Sequence, residues 1–453
     1  MTHGRLVLAG GTVFTMTDEP SVATLVIEEG RISAIIPGFI DPSDSSLPRG
    51  ADFFDASGLY VAPGFIDIHI HDEYKDADHI AERSLLRQGV TTALFGNCGL
   101  GLLFSDAAAM HGSPWIHLYG LVGNCTLRGV VGQTDRYAPA TVEQTMEMAR
   151  LLRESMSLGA MGISLGLEYE PGASADEINS LVSVTAEFDG IVTAHQRYDD
   201  DRCLDAVREL VDLARMFGVR VEISHLGSMT PRHTEECVNI IDAARSDGLR
   251  VTFDCYPYAA FCTNIGSAIF DDGFVERWHG KGPECLESLA GRFRGRRLNW
   301  ETFREMRNET PDGLVVAFIM EEAEVAGCVA NPNCIIGSDT FYRGEGAHPR
   351  LSGTFPRAFR MARETAGYEW KDVLKKATTM PADALGIDAG KLYAGCVADV
   401  TIFDPERYAD RATYQEPFLP PDGVALVVVN GEIAVRDGVV TDSPHGALHR
   451  RRY

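Results

Sequence analysis

The sequence predicts an α/β protein, a (β/α)8 TIM barrel with a small β-sandwich domain built from the N- and C-terminal segments. Three observations predict this fold. Both ends of the chain carry short β-type runs, and the middle alternates apolar runs with amphipathic helical stretches. The length of 453 residues also exceeds the roughly 250 residues of a typical barrel, which leaves room for an accessory domain.

The two ends have the same texture. The first 60 residues contain "RLVLAGGTVFTM" and "ATLVIEEGRISAII", and the last part contains "GCVADVTIFDP" and "GVALVVVNGEIAVRDGVV". In the last of these runs the dipeptide Asn430-Gly431 is a strong signal for a two-residue β-hairpin turn. We therefore assign residues 1–60 and 395–453 to one small β domain, with the middle of the chain inserted between them.

The middle, residues 61–394, repeats strand-like and helical segments in alternation. "GIVTAHQR" and "RVEISHLG" are examples of the strands, and "CLDAVRELVDLARMFG" is one of the helices. Seven or eight such units predict a parallel sheet with both faces covered, which at this length closes into a barrel. The stretch of about 271–333 breaks the rhythm and is predicted to be an insertion or a lid.

The composition narrows the classes of partner. The chain has 41 basic and 65 acidic residues, so its net charge of −24 argues against nucleic acid and anionic membranes as partners. Ten cysteines without a CxxC pair indicate reduced thiols. No signal-peptide pattern is present, and no apolar run approaches the ~20 residues of a membrane span. We expect a cytoplasmic protein, whose oligomeric state the sequence does not reveal.

The stretch "VAPGFIDIHIHDE" (61–73) ends an apolar run with two histidines that flank one isoleucine. In a strand, residues i and i+2 point to the same face, so His69 and His71 would project side by side from the end of the strand. Two imidazoles in that place either fill space or hold a metal ion.

Other predicted strands also end on residues that bind metals or move protons: Cys98 in "FGNCG", His195 in "TAHQR", His225 in "ISHLG" and Asp339 in "IGSDT". Each has an ordinary explanation, since a lone histidine can be a core residue, Cys98 a buried thiol and Asp339 a helix cap. Barrel enzymes place their reactive groups where strands end, so the coincidence at five strand ends favours a metal-dependent active site.

Several motifs in order give the chain a family resemblance. They are "APGFIDIHIH", "QGVTTALFGNCG" (88–99), "GAMGISLGLEYEPGASADEI" (159–178), "DCYPY" (254–258) and "HPRLSGTFPR" (348–357). The chain resembles the amidohydrolase superfamily and, within it, the N-acyl-D-amino-acid deacylases, or D-aminoacylases, over nearly its whole length. The resemblance implies zinc-dependent hydrolysis of the amide bond of N-acyl-D-amino acids.

The resemblance also implies a role for each site residue. Cys98, His195 and His225 would hold a tightly bound zinc, and His69 and His71 would form a second, weaker site that shares Cys98. Asp339 would be the catalytic carboxylate, and the substrate carboxylate and carbonyl would be bound by the following residues: Arg350, Tyr258 and Tyr169. Many superfamily members bridge two metals with a carbamylated lysine, but no lysine lies between Lys75 and Lys281 here.

Three departures from the family pattern concern the substrate rather than the reaction. Leu226 and Gly227 follow His225 where many members carry a polar or basic pair. An acidic run (199–201) follows His195, and "LVGNCTLRG" has Asn124 and Cys125 where a histidine and a small residue are expected. The acyl group and the preferred amino acid therefore stay open.

Other functions fit parts of the pattern. The nearest alternative is an amidohydrolase that acts on a cyclic amide or on another N-acyl compound. A deaminase on the same barrel is opposed by the deacylase motifs. A catalytically inactive scaffold would be expected to have lost metal ligands, and all the predicted ligands are present.

Overall fold

The structure is a computed structural model. It describes residues 4–72, 76, 78–110, 112–344 and 346–452, so that Lys75 lies outside the described residues.

The N-terminal segment forms strands of the first sheet. Their bounds are Leu6–Val13 (β1), Ser21–Glu28 (β2), Arg31–Pro37 (β3), Asp52–Asp55 (β4) and Tyr60–Pro63 (β5). Strand β1 pairs antiparallel with β2 and parallel with β4 and β5. Leu6, Leu8 and Val13 of β1 belong to an apolar core that is separate from that of the barrel. Val400, Ile402 and Leu426 of the C-terminal segment belong to the same core.

The middle of the chain begins with a run of parallel strands. They are Phe65–Ile70 (β6), Val90–Phe95 (β7), His117–Gly123 (β8), Gly162–Gly166 (β9), Ile191–His195 (β10), Arg220–Ile223 (β11) and Val251–Cys255 (β12). Nearly every residue of these strands is buried, because helices cover the sheet from outside and side chains fill it from inside.

Helices connect these strands. They are Ile80–Leu86 (α1), Phe104–Met110 (α2), Asn124–Val130 (α3), Val142–Leu158 (α4), Ala175–Glu187 (α5), Cys203–Phe217 (α6), Leu226–Met229 (α7) and Thr234–Ser246 (α8). Local sequence sets their ends: α4 starts at a capping box of Thr141 and Gln144 and stops at Gly159, which adopts the left-handed conformation at φ 114°.

A long segment follows β12 and carries a small antiparallel sheet. Its strands are Phe261–Asn264 (β13), Leu286–Ser288 (β14) and Leu314–Ala317 (β15), with β15 in the centre. Its helices are Phe274–Arg277 (α9), Trp300–Glu309 (α10) and Glu322–Ala330 (α11). The segment occupies the region where the sequence predicts an insertion, and the bounds 271–333 and the lid function stay predictions.

The barrel closes after this segment. Strand Cys334–Ile336 (β16) pairs with β12, and beyond it the backbone N–H of Asp339 donates to His69 O at 2.7 Å, while that of His71 donates to Thr340 O at 2.8 Å. The last strand therefore meets the first. Three helices follow: Arg350–Ala366 (α12), Trp370–Lys375 (α13) and Thr379–Leu385 (α14).

The C-terminal segment returns to the first sheet with Val400–Phe403 (β17), Val424–Val429 (β18), Glu432–Arg436 (β19) and Val439–Val440 (β20). The sheet order is β20-β19-β18-β17-β5-β1-β2-β3, so both ends of the chain build it. Asn430 and Gly431 join β18 to β19 with φ of 52° and 80°, and both values are positive as a type I′ hairpin turn requires.

The predicted fold class is confirmed: an eight-stranded parallel barrel stands beside a separate sheet formed by the two ends. The domain bounds 1–60, 61–394 and 395–453 stay predictions. Among the described residues, no helix combines the length and apolar character needed to cross a bilayer.

Candidate metal centre

The residues predicted at strand ends converge at the carboxyl end of the barrel. His69 lies near the end of β6 and His195 ends β10, while Cys98, His225 and Asp339 follow β7, β11 and β16 within three residues. All are buried, with exposed fractions between 0 % for His69 and 7 % for Asp339. His71, at 6 % exposure, lies beside them.

The sulfur of Cys98 lies at the centre of this cluster. Its Sγ atom is 3.4 Å from Nε2 of His69 and 3.4 Å from Nε2 of His225. His225 Nε2 is in turn 3.1 Å from Nδ1 of His195. On the other side, Asp339 Oδ1 is 3.1 Å from His71 Nε2.

These distances create two overlapping groups of donor atoms. The ligand atoms of Cys98, His195 and His225 all lie within 4.8 Å of one another. The same limit holds for a second group: His69, His71, Cys98 and Asp339. Thiolate sulfur, imidazole nitrogen and carboxylate oxygen are the donors that zinc binds in proteins, so the residues fit one zinc ion or two with Cys98 in common.

Three of these residues adopt a backbone conformation that L-amino acids rarely take. The φ angles are 53° for Cys98, 37° for His225 and 51° for Asp339. Each such residue costs on the order of 1–3 kcal/mol, and such residues are concentrated in functional sites. Here the conformation turns each side chain inward just where its strand ends.

Two carboxylates behind the cluster fix the imidazole rings. Asp254 contacts His69 Nδ1 through Oδ2 at 3.2 Å and accepts the backbone N–H of His225 on Oδ1 at 2.9 Å. Glu168 Oε2 lies 2.9 Å from His195 Nε2. The opposite nitrogens, His69 Nε2 and His195 Nδ1, therefore point to the cluster, as ligands supported from outside do.

Asp254 and Glu168 are functional candidates that were not predicted from the sequence. Asp254 lies in β12, one residue before its end, and Glu168 follows the end of β9 by two residues. The signal that could have found them is the one used for Asp339: an acidic residue at the carboxyl end of a barrel strand.

The electrostatics of the cluster favour the ligand forms of its groups. Burial alone would raise the pKa of the Cys98 thiol, but the nearby His69 and His225 rings hold it well below its ordinary value. Burial likewise opposes ionisation of Asp339, yet Arg350 and His69 keep the pKa of its carboxyl below the usual range. The site thus favours a thiolate and a carboxylate, the forms that bind metal and accept protons.

Arg350 lies directly behind the catalytic candidate. Its Nη1 is 2.7 Å from Asp339 Oδ2, and the side chain is 1 % exposed. The guanidinium carbon lies 5.0 Å from the ring centre of Tyr256 and 5.5 Å from that of Phe341, which favours a buried cation. The structure therefore joins Arg350 to Asp339, but Arg350 is not on the wall of the cavity next to the cluster, and its predicted contact with the substrate carboxylate stays a prediction.

The two predicted tyrosines are placed differently. Tyr169 lines a cavity next to this cluster. Its ring centre is 4.5 Å from that of His195, and its hydroxyl is 3.4 Å from Thr263 Oγ1. Tyr258 is not on that wall, and its hydroxyl donates to Pro349 O at 3.3 Å. The predicted substrate contact of Tyr258 stays a prediction, and Tyr256 is the tyrosine of "YPY" that lies against Arg350.

The cluster opens into a cavity of about 400 Å³. His71, Cys98, His225 and Asp339 form part of its wall, and Asn264 and Pro311 of the segment after β12 form another part. A cavity of this volume lies in the range of small-molecule sites.

Two of the sequence departures contribute to this region. Cys125 is on the cavity wall. Asp199 is buried and accepts a hydrogen bond from Trp278 Nε1 at 2.8 Å, so the acidic run after His195 anchors the segment after β12 to the barrel. Leu226, by contrast, is part of the apolar core.

The chain is similar to known proteins in both sequence and structure. Residues 323–435 match the model of an amidohydrolase family. The D-aminoacylase of Alcaligenes xylosoxydans xylosoxydans is 32 % identical, over 98 % of this chain and 97 % of that protein. The N-acyl-D-glutamate deacylase of the same organism is 31 % identical, over 94 % and 92 %.

A solved structure matches over the full length. It is the N-acyl-D-glutamate deacylase of Bordetella bronchiseptica, complexed with zinc and a phosphonate inhibitor that mimics the tetrahedral intermediate. The TM-score is 0.84 at 28 % identity, and the match covers 99 % of this chain and 100 % of that chain.

The position of Cys98 predicts that Cys98→Ala loses bound metal and hydrolytic activity together, because the sulfur belongs to both donor groups. Metal content by mass spectrometry after dialysis and turnover of an amide substrate check this. The matched control is Cys396→Ala, which removes a thiol from the core of the terminal sheet. Retained zinc and turnover in Cys98→Ala would show that Cys98 is a core thiol.

Proposed function

The chain belongs to the N-acyl-D-amino-acid deacylases of the amidohydrolase superfamily, and from this premise we propose the residues that carry out its reaction. The protein is a zinc-dependent enzyme that hydrolyses the amide bond of N-acyl-D-amino acids, and it releases a carboxylate and a free D-amino acid. The observation that supports the assignment of residues is the sulfur of Cys98, shared by two groups of donor atoms.

We assign Cys98, His195 and His225 to the tightly bound zinc. His69 and His71 form the second, weaker site together with Cys98. Asp254 and Glu168 hold the rings of His69 and His195 in the orientation that binding requires. A bound zinc polarises the carbonyl of the substrate and lowers the pKa of water at the site to about 7.

Asp339 moves the proton. Amide hydrolysis needs a base that takes a proton from the attacking water and an acid that gives one to the departing nitrogen. Asp339 is ionised because Arg350 and the histidines stabilise its charge against burial, and its Oδ1 lies 3.1 Å from His71 Nε2, beside the cluster. It accepts the first proton and donates it to the leaving group.

Arg350 binds the carboxylate of the substrate. Its planar fork offers five N–H donors, which grip a carboxylate at two points better than a lysine can. One Nη faces Asp339 at 2.7 Å, so the same side chain also orients the proposed base. Tyr169, beside His195 on the cavity wall, is proposed to contact the substrate. The proposed contact of Tyr258 requires its hydroxyl to exchange Pro349 O for the substrate.

Two anchors explain the choice of stereoisomer. With the carboxylate on Arg350 and the carbonyl at the metal centre, two fixed points would set the direction of the Cα substituent within a cavity whose whole volume is about 400 Å³. The two enantiomers would then place that substituent in different directions.

The partners and the location are part of the proposal. The net charge of −24 disfavours nucleic acid and anionic membranes as partners, and the similarity to deacylases supports a small-molecule substrate. The cysteine content supports a cytoplasmic location.

The function is tested by amine release from paired N-acetyl- and N-formyl-D- and L-amino acids with zinc-loaded enzyme. We expect turnover of D members and none of their L counterparts, since the two anchors fix the Cα substituent. Silence across the whole panel with zinc bound would contradict the deacylase function and move the substrate to a cyclic or non-amino-acid amide.

Asp339→Asn should keep zinc and lose turnover by about 10²–10⁴-fold, the usual contribution of a general acid–base. Zinc analysis and initial rates separate the two effects. Asp312→Asn, also on the cavity wall, is the matched control and should retain activity. Loss of zinc in Asp339→Asn would make this residue a ligand first.

Arg350→Ala should lower kcat/KM for N-acyl-D-amino acids by roughly tenfold to a hundredfold, the worth of a charge-assisted contact. Arg350→Lys should recover a fraction only, because it keeps the charge and loses the fork. Arg360→Ala on the same helix, where Arg360 is half exposed and pairs with Asp410, is the control. Equal activity of Arg350→Ala and wild type would oppose recognition of a free carboxylate.

A further inference from the structure

A second cavity, of about 230 Å³, lies at the opposite end of the barrel. Arg220 and Val251 on its wall are the first residues of β11 and β12. The catalytic cluster lies where these strands end, so the two cavities open on opposite faces. The reaction uses no residue of this second wall.

Three arginines line this cavity: Arg220, Arg245 and Arg250. The one carboxylate on the described part of the wall is Asp383, which is exposed. A local excess of positive charge is unexpected in a chain with a net charge of −24, and such an excess attracts anions.

The carboxylate behind the wall does not cancel the excess. Asp189 receives Arg250 Nη1 on Oδ1 at 2.9 Å and Arg220 Nη2 on Oδ2 at 3.2 Å. Arg451 of the C-terminal segment contacts the same Oδ2 at 3.3 Å. Asp189 therefore contacts three arginines. Arg245 has no carboxylate within 4.0 Å among the residues that the structure describes.

The arginines are held in place by the backbone. Arg245 Nη1 donates to Val251 O at 2.9 Å, and Arg250 Nη2 donates to Gly218 O. Arg220 is 9 % exposed and packs against Gly386, where a Cβ atom would come within 2.4 Å of its Nη1. Guanidinium groups fixed in this way lose little conformational entropy when they bind a ligand.

Carboxyl groups beneath the wall add little repulsion. The hydroxyl of Thr252, also on the wall, donates a hydrogen bond to Oε2 of Glu222, whose side chain is buried. Burial raises the pKa of Glu222 well above its ordinary value, which favours the uncharged form.

The remainder of the wall is apolar and consists of Val251, Ile335, Met380 and Ala384. A bare inorganic anion would leave these side chains without a partner, whereas an organic group could cover them.

We propose that this cavity binds a small phosphate monoester, with the phosphate on Arg220, Arg245 and Arg250 and the organic part against the apolar wall. Guanidinium forks match phosphate oxygens in pairs, and a dianion suits three arginines better than a single carboxylate does. Binding stabilises the protein and leaves the reaction at the other face unchanged.

The test is calorimetric titration of the zinc-loaded, full-length enzyme with phenyl phosphate, inorganic phosphate and phenol. Phenyl phosphate should bind more tightly than inorganic phosphate, and phenol should not bind, because both the charge and the organic group contribute. The catalytic zinc also attracts phosphates, so inhibition of deacylation is measured in parallel and attributed to that site.

Two variants identify the cavity. Arg245→Gln removes one charge, and Ala384→Phe fills the space without a change in charge. Each should weaken, by about tenfold or more, the binding of phenyl phosphate that does not inhibit deacylation. Both should deacylate at the wild-type rate, which reports an intact fold. Arg208→Gln, which removes an exposed arginine of α6, is the charge-matched control and should bind as wild type does.

The proposal is overturned if wild type shows no such event at millimolar phenyl phosphate, or if both variants bind as wild type does. Binding of inorganic phosphate as tight as that of phenyl phosphate would also overturn it, since the cavity would then take a bare ion. None of these outcomes depends on the identity of the deacylase substrate.

Discussion

The catalytic site depends on one sulfur atom. Cys98 Sγ lies 3.4 Å from Nε2 of His69 and 3.4 Å from Nε2 of His225, two residues at the ends of different strands. A thiolate so placed is stabilised by both rings and joins two groups of metal-binding atoms into one site. The left-handed backbone at Cys98, φ 53°, provides this position, because an extended residue would carry the side chain past the strand end.

Bringing so many polar groups into the interior is unfavourable unless each one has a partner. A buried polar atom left without one costs about 1–3 kcal/mol. Asp254 provides a partner for two of these groups. Its Oδ2 contacts Nδ1 of His69, and its Oδ1 accepts the backbone N–H of His225. Asp254 lies in β12, which pairs with β11 and β16, so it links the proposed metal ligands to the framework of the barrel.

The sequence was informative where chemistry and periodicity coincide. The strand ends near His69, Cys98, His195, His225 and Asp339 could be recognised from the sequence. There, apolar runs stop at or just before residues that bind metals or move protons. The tyrosines show where such reasoning fails. Tyr256 and Tyr258 are two residues apart, which in a strand would give them one face, but β12 ends at Cys255 and the period of two no longer holds. The ion pair of Arg350 with Asp339 and the wall formed by Asn264 and Pro311 depend on loop geometry, which the sequence pattern does not contain.

The closure of the barrel is what relates the proposed base to the metal ligands. Asp339 and His69 are 270 residues apart in the chain, yet the backbone N–H of Asp339 donates directly to His69 O at 2.7 Å. That bond belongs to the seam between the last and the first strand, so the backbone of Asp339 is held next to that of His69. Arg350 begins the next helix, α12, and reaches back to the same carboxylate. The proposed base and the proposed metal ligand thus lie at one seam of the sheet, and the proposed substrate anchor reaches the same carboxylate from the helix that follows.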